Sequence, residues 1–502
     1  MKLKNKYGSA LLLLLPVLLV AFPVPVTNEL YREIDRLAVS GNYKEFFIWP
    51  KPFEADSLFA LSQKYKQCVG GNDSLRLERI ELLLTPFLSK TDTLQQRLVL
   101  SAEIQSDMST DFSGDSFFVR GIAGAAYSFG RFRLVNRVSA DAADFDERYD
   151  HVERMYKGSV AADMPEAYLQ YTGRHFSLMA GRNRFCFGKG RSGALLLGSH
   201  GPSMNGVMTT ASIGFLRGDA IAAAMDPLDG IDRWFSAMRI AVNVTQELSL
   251  AFSQSVVYAG KNRKWEPGYV IPAFLYYFTQ FRALQGNELD NLFLGMEAEY
   301  RFKWGRLYGE LLADDFQVDR DSVSSSTQNA IAFLIGFSLS ETNIRPSIAA
   351  EYLRINSYVY KHMGGVSTHY LMNRQGGTLG HPLGPDADAL YLYLDKKCSG
   401  GFDLHADFTF ARLGSLNDPA GLWDAYGKAD ETVPVPPVEK RLQIVAGAGK
   451  LLWNRLRIDC GIGTALVMAP SMPNEYSPVF KIQSSLELYK IFNFEPRAAL
   501  LK

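Results

Sequence analysis

The chain has 502 residues, and its 53 lysines and arginines balance 53 aspartates and glutamates, so the formal net charge is zero. Nucleic-acid-binding proteins usually carry a basic excess or a basic stripe, so this balance argues against a nucleic-acid partner. Hydrophobic residues make up 47% of the chain and charged residues 21%, a composition that argues against intrinsic disorder.

The first 22 residues have the pattern of a secretory signal peptide. Lys2, Lys4 and Lys6 precede an apolar run that extends over residues 10–22. A helix needs about twenty apolar residues to span a bilayer, and this run is shorter. We therefore predict a signal peptide over residues 1–22, with an uncleaved anchor as the less favoured alternative. No later apolar run in the sequence approaches the about eighteen residues that a spanning helix needs, so any membrane insertion must use strands.

Residues 27–90 show the three- and four-residue spacing of apolar side chains that forms one face of a helix. The three sets are Leu30, Ile34 and Leu37; Leu58, Leu61 and Tyr65; and Leu77, Ile80, Leu84 and Phe87. Short amphipathic helices are marginal in isolation. We therefore predict a small N-terminal α-helical bundle that packs against the rest of the chain.

From about Leu94 onward the spacing of apolar residues changes to two, which is the period of a β-strand. The clearest stretch is residues 291–306. One face of it carries only apolar or aromatic side chains: Leu292, Leu294, Met296, Ala298, Tyr300 and Phe302. The other face carries Glu297, Glu299 and Arg301. Residues 343–356 and 401–412 alternate in a similar way.

The alternating stretches are ten or more residues long, whereas strands of soluble proteins typically have about five or six. A tilted strand needs about nine to eleven residues to cross a bilayer. We count about eighteen strand candidates, an even number as in bacterial outer-membrane barrels. They start near Leu94, Phe117, Phe132, Glu166, His175, Gly206, Gly218, Arg233, Leu248, Glu288, Arg306, Gln328, Asn343, Ala389, Gly401, Arg441, Arg455 and Val479.

Short and long connections alternate between these strands. Short turns are predicted at residues 130–131, 172–174, 216–218, 245–247, 303–305, 340–342, 397–400 and 453–454. Long connections are predicted at residues 142–165, 184–205, 260–287, 357–388 and 413–439. Outer-membrane barrels have tight periplasmic turns and long extracellular loops, whereas a soluble β-sandwich has no reason to sort its loops in this way. We predict a mostly β fold: a closed antiparallel transmembrane β-barrel of about 18 strands over residues 94–494, with residues 27–90 periplasmic.

Polar residues on the inner faces of these strands should line the barrel lumen. The candidates are Glu297, Glu299, Arg301, Glu310, Asp314, Asp403, His405 and Asp407. Opposite charges on the inner wall would cross-link neighbouring strands and offset desolvation, which is the favoured interpretation. The alternative is a polar conduit that selects solutes. We expect the connection at 184–205 to be the one that plugs the lumen, if any does.

A hydrolase is a further hypothesis from the same residues. Asp314 precedes Asp315, and His405 lies between Asp403 and Asp407, so carboxylates with a histidine could activate water. The sequence contains no serine elbow, phosphate-binding loop or zinc signature, and its four cysteines match no metal-binding spacing. We therefore predict no catalytic residue, no metal and no cofactor.

Tryptophans occur in both kinds of connection. Trp304 and Trp453 lie in short turns, where an interfacial girdle explains them. Trp265 and Trp423 lie in long loops, near Tyr269 and Tyr426 respectively. Such aromatic side chains among acids and amides could stack on sugar rings, and the alternative is that the loops pack over their own mouth. Candidate saccharide ligands are Trp265, Tyr269, Trp423, Tyr426, Asp386 and Asp388.

Several segments of the chain form a recognisable set. They are residues 30–38 (LYREIDRLA), 164–171 (MPEAYLQY), 180–190 (AGRNRFCFGKG), 195–199 (LLLGS), 290–292 (DNL), 307–317 (LYGELLADDFQ) and 380–388 (GHPLGPDAD). In this order they resemble the Wzi family of capsule-assembly outer-membrane barrels. Members often carry tryptophan where this chain has Phe185 and Phe187, and many such barrels end on an aromatic residue, whereas this chain ends at Lys502. The resemblance implies eighteen strands, a helical bundle at the periplasmic end, and a lectin-like surface role.

We therefore predict a non-enzymatic outer-membrane barrel that binds capsular or other extracellular polysaccharide through its extracellular loops. The expected partners are that polysaccharide and the lipid and lipopolysaccharide of the outer membrane, and no nucleic acid is expected. A porin or diffusion channel of the same architecture is the alternative, and a membrane-embedded hydrolase is the third and least favoured hypothesis.

Overall fold

The computed structural model describes residues 96–494 apart from 112–113, 144–154, 158–159, 202, 272–274, 284–289, 316–329, 343–344, 363–364, 372–376, 399, 422–431, 454 and 471–474. It also describes residues 34, 55–66, 77–78, 80–81 and 84. The predicted signal peptide at residues 1–22 lies outside the described residues and stays a prediction.

The described part of the chain is mostly β-strand. The strands are β1 (Gln96–Asp111), β2 (Gly114–Phe129), β3 (Phe132–Ala143), β4 (Met155–Lys157), β5 (Val160–Thr172), β6 (Phe176–Asn183), β7 (Met204–Ile213), β8 (Leu216–Leu228), β9 (Ile231–Asn243), β10 (Leu248–Gly260), β11 (Asn291–Phe302), β12 (Gly305–Asp315), β13 (Ala330–Leu339), β14 (Ser347–Ile355), β15 (Ala387–Lys397), β16 (Phe402–Leu413), β17 (Glu439–Leu452), β18 (Leu456–Met468) and β19 (Glu475–Phe494).

The sheet closes on itself as an antiparallel barrel. Each strand pairs with the next along the chain, except that β3 pairs directly with β5, and β1 pairs with both β2 and β19. The closing register places Gln96 opposite Phe494. A closed sheet leaves no edge with unpaired backbone groups, which is what a lipid environment requires. The predicted eighteen-stranded antiparallel barrel is confirmed.

The short strand β4 is an addition to the predicted set. Strand β6 pairs with β5 only from Ala167 to Thr172, so the loop-side end of β5 is left for another partner. β4 takes that place and pairs Met155 with Ala162. Strand β5 therefore begins at Val160, six residues before the predicted start at Glu166.

Predicted strand starts differ from the observed ones by up to six residues, as at Ser347 of β14 and Glu475 of β19, and two of the differences have a local cause. The β5 start was placed after Pro165, but the register with β3 shifts between Arg137 and Ser139, and a proline without an N–H is tolerated at such a bulge. The turn predicted at 216–218 lies two residues earlier, since β7 ends at Ile213 and Leu216 already belongs to β8. Gly214 occupies this turn with a φ of +60°, which glycine adopts without a steric penalty.

The side chains on the wall are partitioned as predicted. On β11, the inward-facing Glu297, Glu299 and Arg301 are buried, whereas the outward-facing Met296 is 58% exposed and Tyr300 50% exposed. The same outward exposure occurs at Leu250, Leu307, Leu311, Ile335, Phe337, Leu390, Leu392, Leu394, Ile444 and Ile462. A soluble sandwich would bury these side chains in a core. Here they form a continuous apolar belt around the outside, as in a membrane barrel.

Two features mark the limits of this belt. At the short turns, Trp304 and Trp453 are exposed, in agreement with the predicted girdle. At the loop side of β14–β17, four charged residues are neighbours in the strand register. Arg354 lies opposite Asp388, Asp388 lies opposite Arg412, and Arg412 lies opposite Lys440. By alternation these four side chains share the outer face with Leu390 and its neighbours. A row of ionised groups therefore limits the apolar belt on the loop side.

Few helices are described. Those with described bounds are α1 (Ala55–Lys66), α2 (Pro267–Val270), α3 (Tyr276–Ala283) and a 3-10 helix (Val366–Thr368). The described residues 34, 77–78, 80–81 and 84 are also helical. No helix in the described part of the chain is long and apolar enough to cross a membrane. Leu58 of α1 belongs to the same buried apolar cluster as Val99 of β1 and Tyr168 of β5. The predicted helical bundle over 27–90 is not confirmed, because most of that segment lies outside the described residues.

A charge at the middle of the outer belt should destabilise the barrel in lipid. We expect Met296→Arg to lower the free energy of unfolding by about 2–4 kcal/mol, because arginine at the bilayer midplane costs that much. Met296→Leu is the matched control and should have little effect. Urea unfolding in liposomes measures both. Equal stability of the two variants would contradict the lipid-facing assignment of β11.

Candidate functional site in the lumen and at the loop-side rim

The connection between β6 and β7, residues 184–203, folds into the barrel, and we call it the plug loop. Its backbone is held by Glu310 on the inner face of β12. The backbone N–H groups of Lys189, Gly190 and Leu195 donate to this carboxylate, the latter two at 2.7 and 2.8 Å. A buried carboxylate needs such donors because it has left water, and buried N–H groups need acceptors for the same reason.

A second carboxylate holds the tip of the plug loop. Glu351 of β14 accepts the backbone N–H groups of Arg191 at 2.5 Å and Ser192 at 2.8 Å, together with the Tyr308 hydroxyl at 2.5 Å. The plug loop also sends charged side chains to the wall. Lys189 Nζ lies 2.9 Å from Glu299, and the Arg191 guanidinium lies 2.8 Å from Asp395.

Glycines let the plug loop approach the wall this closely. A Cβ at Gly188 would lie 2.9 Å from the Glu310 carboxylate and 2.3 Å from Ala194, and one at Gly190 would lie 2.1 Å from the carbonyl of Gly193. No side chain fits at such distances, so these glycines have a steric role in the fold. The expectation that the 184–205 connection plugs the lumen agrees with this placement.

A second connection, residues 356–386, packs on the plug loop, and we call it the cap loop. The hydroxyls of Tyr360 and Tyr370 donate to the carbonyls of Leu195 and Leu196 at 2.8 and 2.6 Å. The two tyrosine rings stack with their planes 12° apart. The Tyr360 N–H donates in turn to Asp314 of β12 at 2.5 Å. Both loops are thus tied to each other and to the wall.

Arg233 of β9 fixes the far side of the cap loop. Its Nε donates to the carbonyl of Ser367 at 2.8 Å, and its Nη2 donates to the carbonyls of His369 and Leu371 at 3.0 and 2.7 Å. These carbonyls would otherwise be difficult to satisfy, because His369 and Leu371 are fully buried.

Two histidines, the buried His381 and the half-buried His200, join the cap loop to the plug loop in their neutral form. The N–H of Leu383 donates to His381 Nδ1 at 3.2 Å, so His381 Nε2 carries the proton and faces Ser192 Oγ at 3.3 Å. Burial lowers the pKa of His381 to about 3, and burial lowers the pKa of His200, which contacts the Thr378 carbonyl, to about 4. Both rings are therefore uncharged at neutral pH.

Asp386, one of the predicted saccharide ligands, is a buried structural anchor. Its carboxylate accepts the Ser357 hydroxyl at 3.0 Å and the backbone N–H groups of Leu416 and Val435, each at 2.9 Å. These last two residues lie in the connection between β16 and β17. One carboxylate therefore pins both ends of that loop to the end of the cap loop.

The other saccharide candidates occupy different places. Asp388 lies on the outer wall, where it is ion-paired with Arg412. Tyr269 is completely buried, and its hydroxyl donates to Asp290 at 2.8 Å. Trp265 is partly exposed and lies edge-on to Trp234 of β9. Trp423 and Tyr426 lie outside the described residues. The structure therefore does not bring the described candidates together at one site.

The predicted lumen residues face inward and serve two purposes. Glu299, Glu310 and Asp314 hold the plug and cap loops. The other predicted residues belong to the wall. Glu297 makes a bidentate ion pair with Arg239 at 2.8 and 2.9 Å, and Arg301 pairs with Glu299 at 2.7 Å. On β16, Asp403 lies 3.3 Å from Arg457, His405 lies 3.5 Å from Asp459, and Asp407 is half-buried.

The residues that sequence reasoning missed are Glu351, Tyr308, Tyr360, Tyr370 and Arg233. Glu351 was on the polar face of an alternating strand, so its inward direction was available from the pattern. Its partners, Arg191 and Ser192, are about 160 positions away in the sequence and carry no motif that pairs them with it. Tyr360 and Tyr370 act through their hydroxyls on backbone carbonyls, which any residue supplies.

The hydrolase residues have separate partners in the structure. Asp314 accepts the Tyr360 N–H, and His405 lies next to Asp459 on another part of the wall. Among the described residues, no group of three or more His, Cys, Asp or Glu is placed to hold a metal ion. The arrangement as described fixes loops in the lumen.

A family model for the capsule assembly protein Wzi matches residues 100–475. This chain belongs to the Wzi family. The match begins in β1 and ends where β19 begins, so it includes the plug loop and the cap loop. Family and fold together make the chain an outer-membrane protein. A search of the curated proteins found no match.

The chain is similar to several solved structures. Wzi from Escherichia coli, described as a carbohydrate-binding β-barrel involved in group 1 capsule assembly, is 15% identical, with 94% of this chain and 99% of that chain covered and a TM-score of 0.61. OccD3 (OpdP) from Pseudomonas aeruginosa is 9% identical over 78% of this chain and 91% of that chain, with a TM-score of 0.46. OccAB4 from Acinetobacter baumannii is 7% identical over 80% and 100%, with a TM-score of 0.45.

Loss of both plug-holding carboxylates should release the plug loop. In the double variant Glu310→Ala with Glu351→Ala, five backbone N–H groups of the plug loop lose their acceptors, four of them in part-buried hydrogen bonds and the Leu195 N–H in a buried one. Loss of the acceptor of a fully buried N–H group costs about 1–3 kcal/mol, and loss at the part-buried positions costs less. We expect sustained current in planar bilayers from this variant, whereas the wild-type protein should stay closed. Thr409→Ala, on the inner face of β16, is the control and should also stay closed. A silent double variant would show that these carboxylates do not hold the plug.

Acid should weaken the joint between the plug and cap loops. The pKa of His381 is below the ordinary value for histidine, so its stabilising contribution is complete above about pH 6.5 and is lost as the pH falls toward the folded-state pKa. We expect the urea midpoint of unfolding to be lower at pH 4.5 than at pH 7.5, and this decrease should be smaller for His381→Gln than for the wild type. His175→Gln, at an exposed turn, should show the same decrease as the wild type. The same decrease in all three proteins would contradict this role of His381.

Proposed function

We propose that this protein binds a capsular or other extracellular polysaccharide at its loop-side rim and holds it at the cell surface without catalysing a reaction. Membership in a family of capsule assembly proteins supports this proposal. The similarity in fold to a barrel described as carbohydrate-binding agrees with it. The observation that carries it is the pair of loops fixed inside the lumen, because loops held there obstruct a channel and leave the loop-side surface to ligands.

The way in which the loops are fixed favours a binding surface. Glu310, Glu351 and Asp314 hold the plug and cap loops from below, and Asp386 pins the neighbouring loop from the side. A surface that is already ordered loses little conformational entropy when it binds a ligand. A flexible polymer such as a polysaccharide is costly to order, so a pre-formed partner surface is an advantage.

The connection between β16 and β17 is our proposed binding loop. Its two ends meet at the Asp386 carboxylate, so the residues between Leu416 and Val435 start and finish at one fixed point of the rim. Trp423 and Tyr426 belong to this stretch, and Asp418 within it is exposed. Aromatic faces with nearby polar groups suit sugar rings, which have apolar faces and polar edges.

The remaining candidates take supporting roles in this proposal. Asp386 anchors the binding loop, and Tyr269 and Asp388 belong to the outer side of the wall. We further propose that the long-loop rim is extracellular, that the short turns and residues 27–90 are periplasmic, and that residues 1–22 are a cleaved signal peptide. Tight periplasmic turns and long extracellular loops are the usual arrangement of such barrels.

Removal of the two loop aromatics should weaken polysaccharide binding. We expect the double variant Trp423→Ala with Tyr426→Ala to raise the Kd for purified capsular polysaccharide by about 5- to 140-fold, because two aromatic contacts of about 0.5–1.5 kcal/mol each amount to about 1–3 kcal/mol and about 1.4 kcal/mol is tenfold. A glycan array identifies the ligand, and surface plasmon resonance on the purified protein measures the Kd. Trp304→Ala, at the opposite rim, is the matched control and should bind normally.

Three outcomes would contradict the proposal. One is wild-type protein that binds no glycan, and another is wild-type protein that carries sustained current, as a diffusion channel does. The third is cleavage of the polysaccharide, measured as new chain ends released by the wild type but not by Asp314→Asn or His405→Ala. This result would indicate a hydrolase.

A further inference from the structure

One long connection lies on the outside of the barrel. Residues 261–290 join β10 to β11 and contain α2 and α3. The N–H of Tyr276, at the start of α3, donates to Gln254 Oε1 of β10 at 3.0 Å. By alternation, Gln254 points to the same side of β10 as Leu250 and Phe252, which are exposed on the outer belt. Residues 261–271 and 275–283, which we call the outer clamp, therefore run along the outer wall.

Buried tyrosines attach the outer clamp to the wall. Tyr258 of β10 packs on Tyr269 of α2 with ring centroids 4.9 Å apart, and Tyr269 meets Tyr276 of α3 at 5.6 Å. The same apolar cluster includes Ala220 of β8 and Met238 of β9, both on the outer side of the wall. Small alanines on β8 leave room for α2 at this point.

Polar contacts secure the ends of the outer clamp. The indole N–H of Trp234 on β9 donates to the Arg263 carbonyl at 3.0 Å. The Arg263 guanidinium is ion-paired with Asp290 and lies 2.6 Å from Glu266. The clamp therefore has a fixed attachment to the wall at its start, its middle and its end, and its charges at these points are paired.

The opposite edge of the outer clamp is apolar and uncovered. Phe278 is 64% exposed and Tyr277 52% exposed, and Ile271 and Leu275 are exposed as well. These side chains are close together in the sequence, on a segment whose other side is buried against the wall. A cluster of this kind is unusual on a water-facing surface and marks an interaction site.

The height of this edge on the barrel indicates its partner. A tilted strand crosses the apolar layer in about nine to eleven residues. Gln254 is the seventh residue of β10, counted from Leu248 at the turn side, and Val256 and Tyr258 beneath the clamp follow it. The clamp therefore lies at the loop-side boundary of the belt, where β14–β17 carry their row of ionised side chains.

We propose that the outer clamp is a lipid-docking element. Ile271, Leu275, Tyr277 and Phe278 enter the outer part of the acyl-chain region in the leaflet on the loop side. Trp265 lies at the headgroup level with the exposed Lys264, which faces the phosphates of the leaflet. Aromatic residues favour this depth, and amphipathic segments bury their apolar edge there.

Lipid fits this edge better than saccharide does, because the edge continues the lipid-facing belt of β10 and β11. Leu250, Phe252 and Leu294 lie on the same outer face, directly below the clamp on the turn side. The inference concerns a surface different from the proposed binding loop and does not depend on polysaccharide binding. It uses the proposed orientation only to identify the leaflet.

Photocross-linking in intact cells tests the proposal. A benzophenone amino acid is placed at Phe278, at Met296 as the lipid-facing control, or at Ser415 as the exposed rim control. After irradiation, we expect lipopolysaccharide cross-links at positions 278 and 296, with at least a fivefold lower yield at position 415. Cross-linking at 278 to polysaccharide alone, or at the background level of 415, would overturn the proposal.

A second measurement does not depend on orientation. In liposomes made with brominated phosphatidylcholine, Phe278→Trp should add tryptophan emission that is quenched as strongly as that of Met296→Trp. Ser415→Trp should add emission that is not quenched. Phe278→Trp keeps an exposed aromatic side chain, so it should insert as the wild type does, and unquenched emission from it would overturn the proposal even if polysaccharide binding is intact.

Discussion

Every backbone N–H and C=O in a bilayer needs a partner within the protein, because the hydrocarbon supplies none. The chain meets this requirement by closing eighteen antiparallel strands, with β1 paired to β19. Closure then determines the direction in which each side chain points. Each strand has one face toward lipid and one toward an enclosed interior, so Met296 and Leu294 point outward while Glu297 and Glu299 point inward. The amphipathic alternation is thus a consequence of the hydrogen-bonding requirement.

The enclosed interior creates a second requirement, since inward carboxylates have left bulk water. Some are satisfied by arginines on neighbouring strands, as Glu297 is by Arg239. Glu310 and Glu351 are satisfied by backbone N–H groups of the plug loop. The same carboxylates that make the lumen polar therefore also close it. This links the composition of the wall to a surface role for the loops.

Loops on one rim can take opposite sides of the wall, and the local strand residues determine which. The plug loop enters the lumen, where carboxylates accept hydrogen bonds from its N–H groups. The outer clamp lies outside, where Ala220 on β8 leaves space and Tyr258 offers a ring. Gln254 is a polar residue on an otherwise apolar outer face, and the clamp supplies its partner. Loop placement follows the need to satisfy individual polar groups.

The sequence alone determined the barrel, its strand number, the inward and outward faces and the rim that carries the long loops, because period-two alternation is a local property of each strand. It also marked 184–205 as the candidate plug. The tertiary structure alone decided that Asp386 and Tyr269 are buried anchors, that β15 includes Asp388 and that Glu351 holds Arg191 and Ser192. Those roles depend on contacts between residues far apart in the chain, which leave no local pattern. Whether an aromatic side chain in a long loop is exposed or buried depends on where that loop packs, and only the closed barrel decides this.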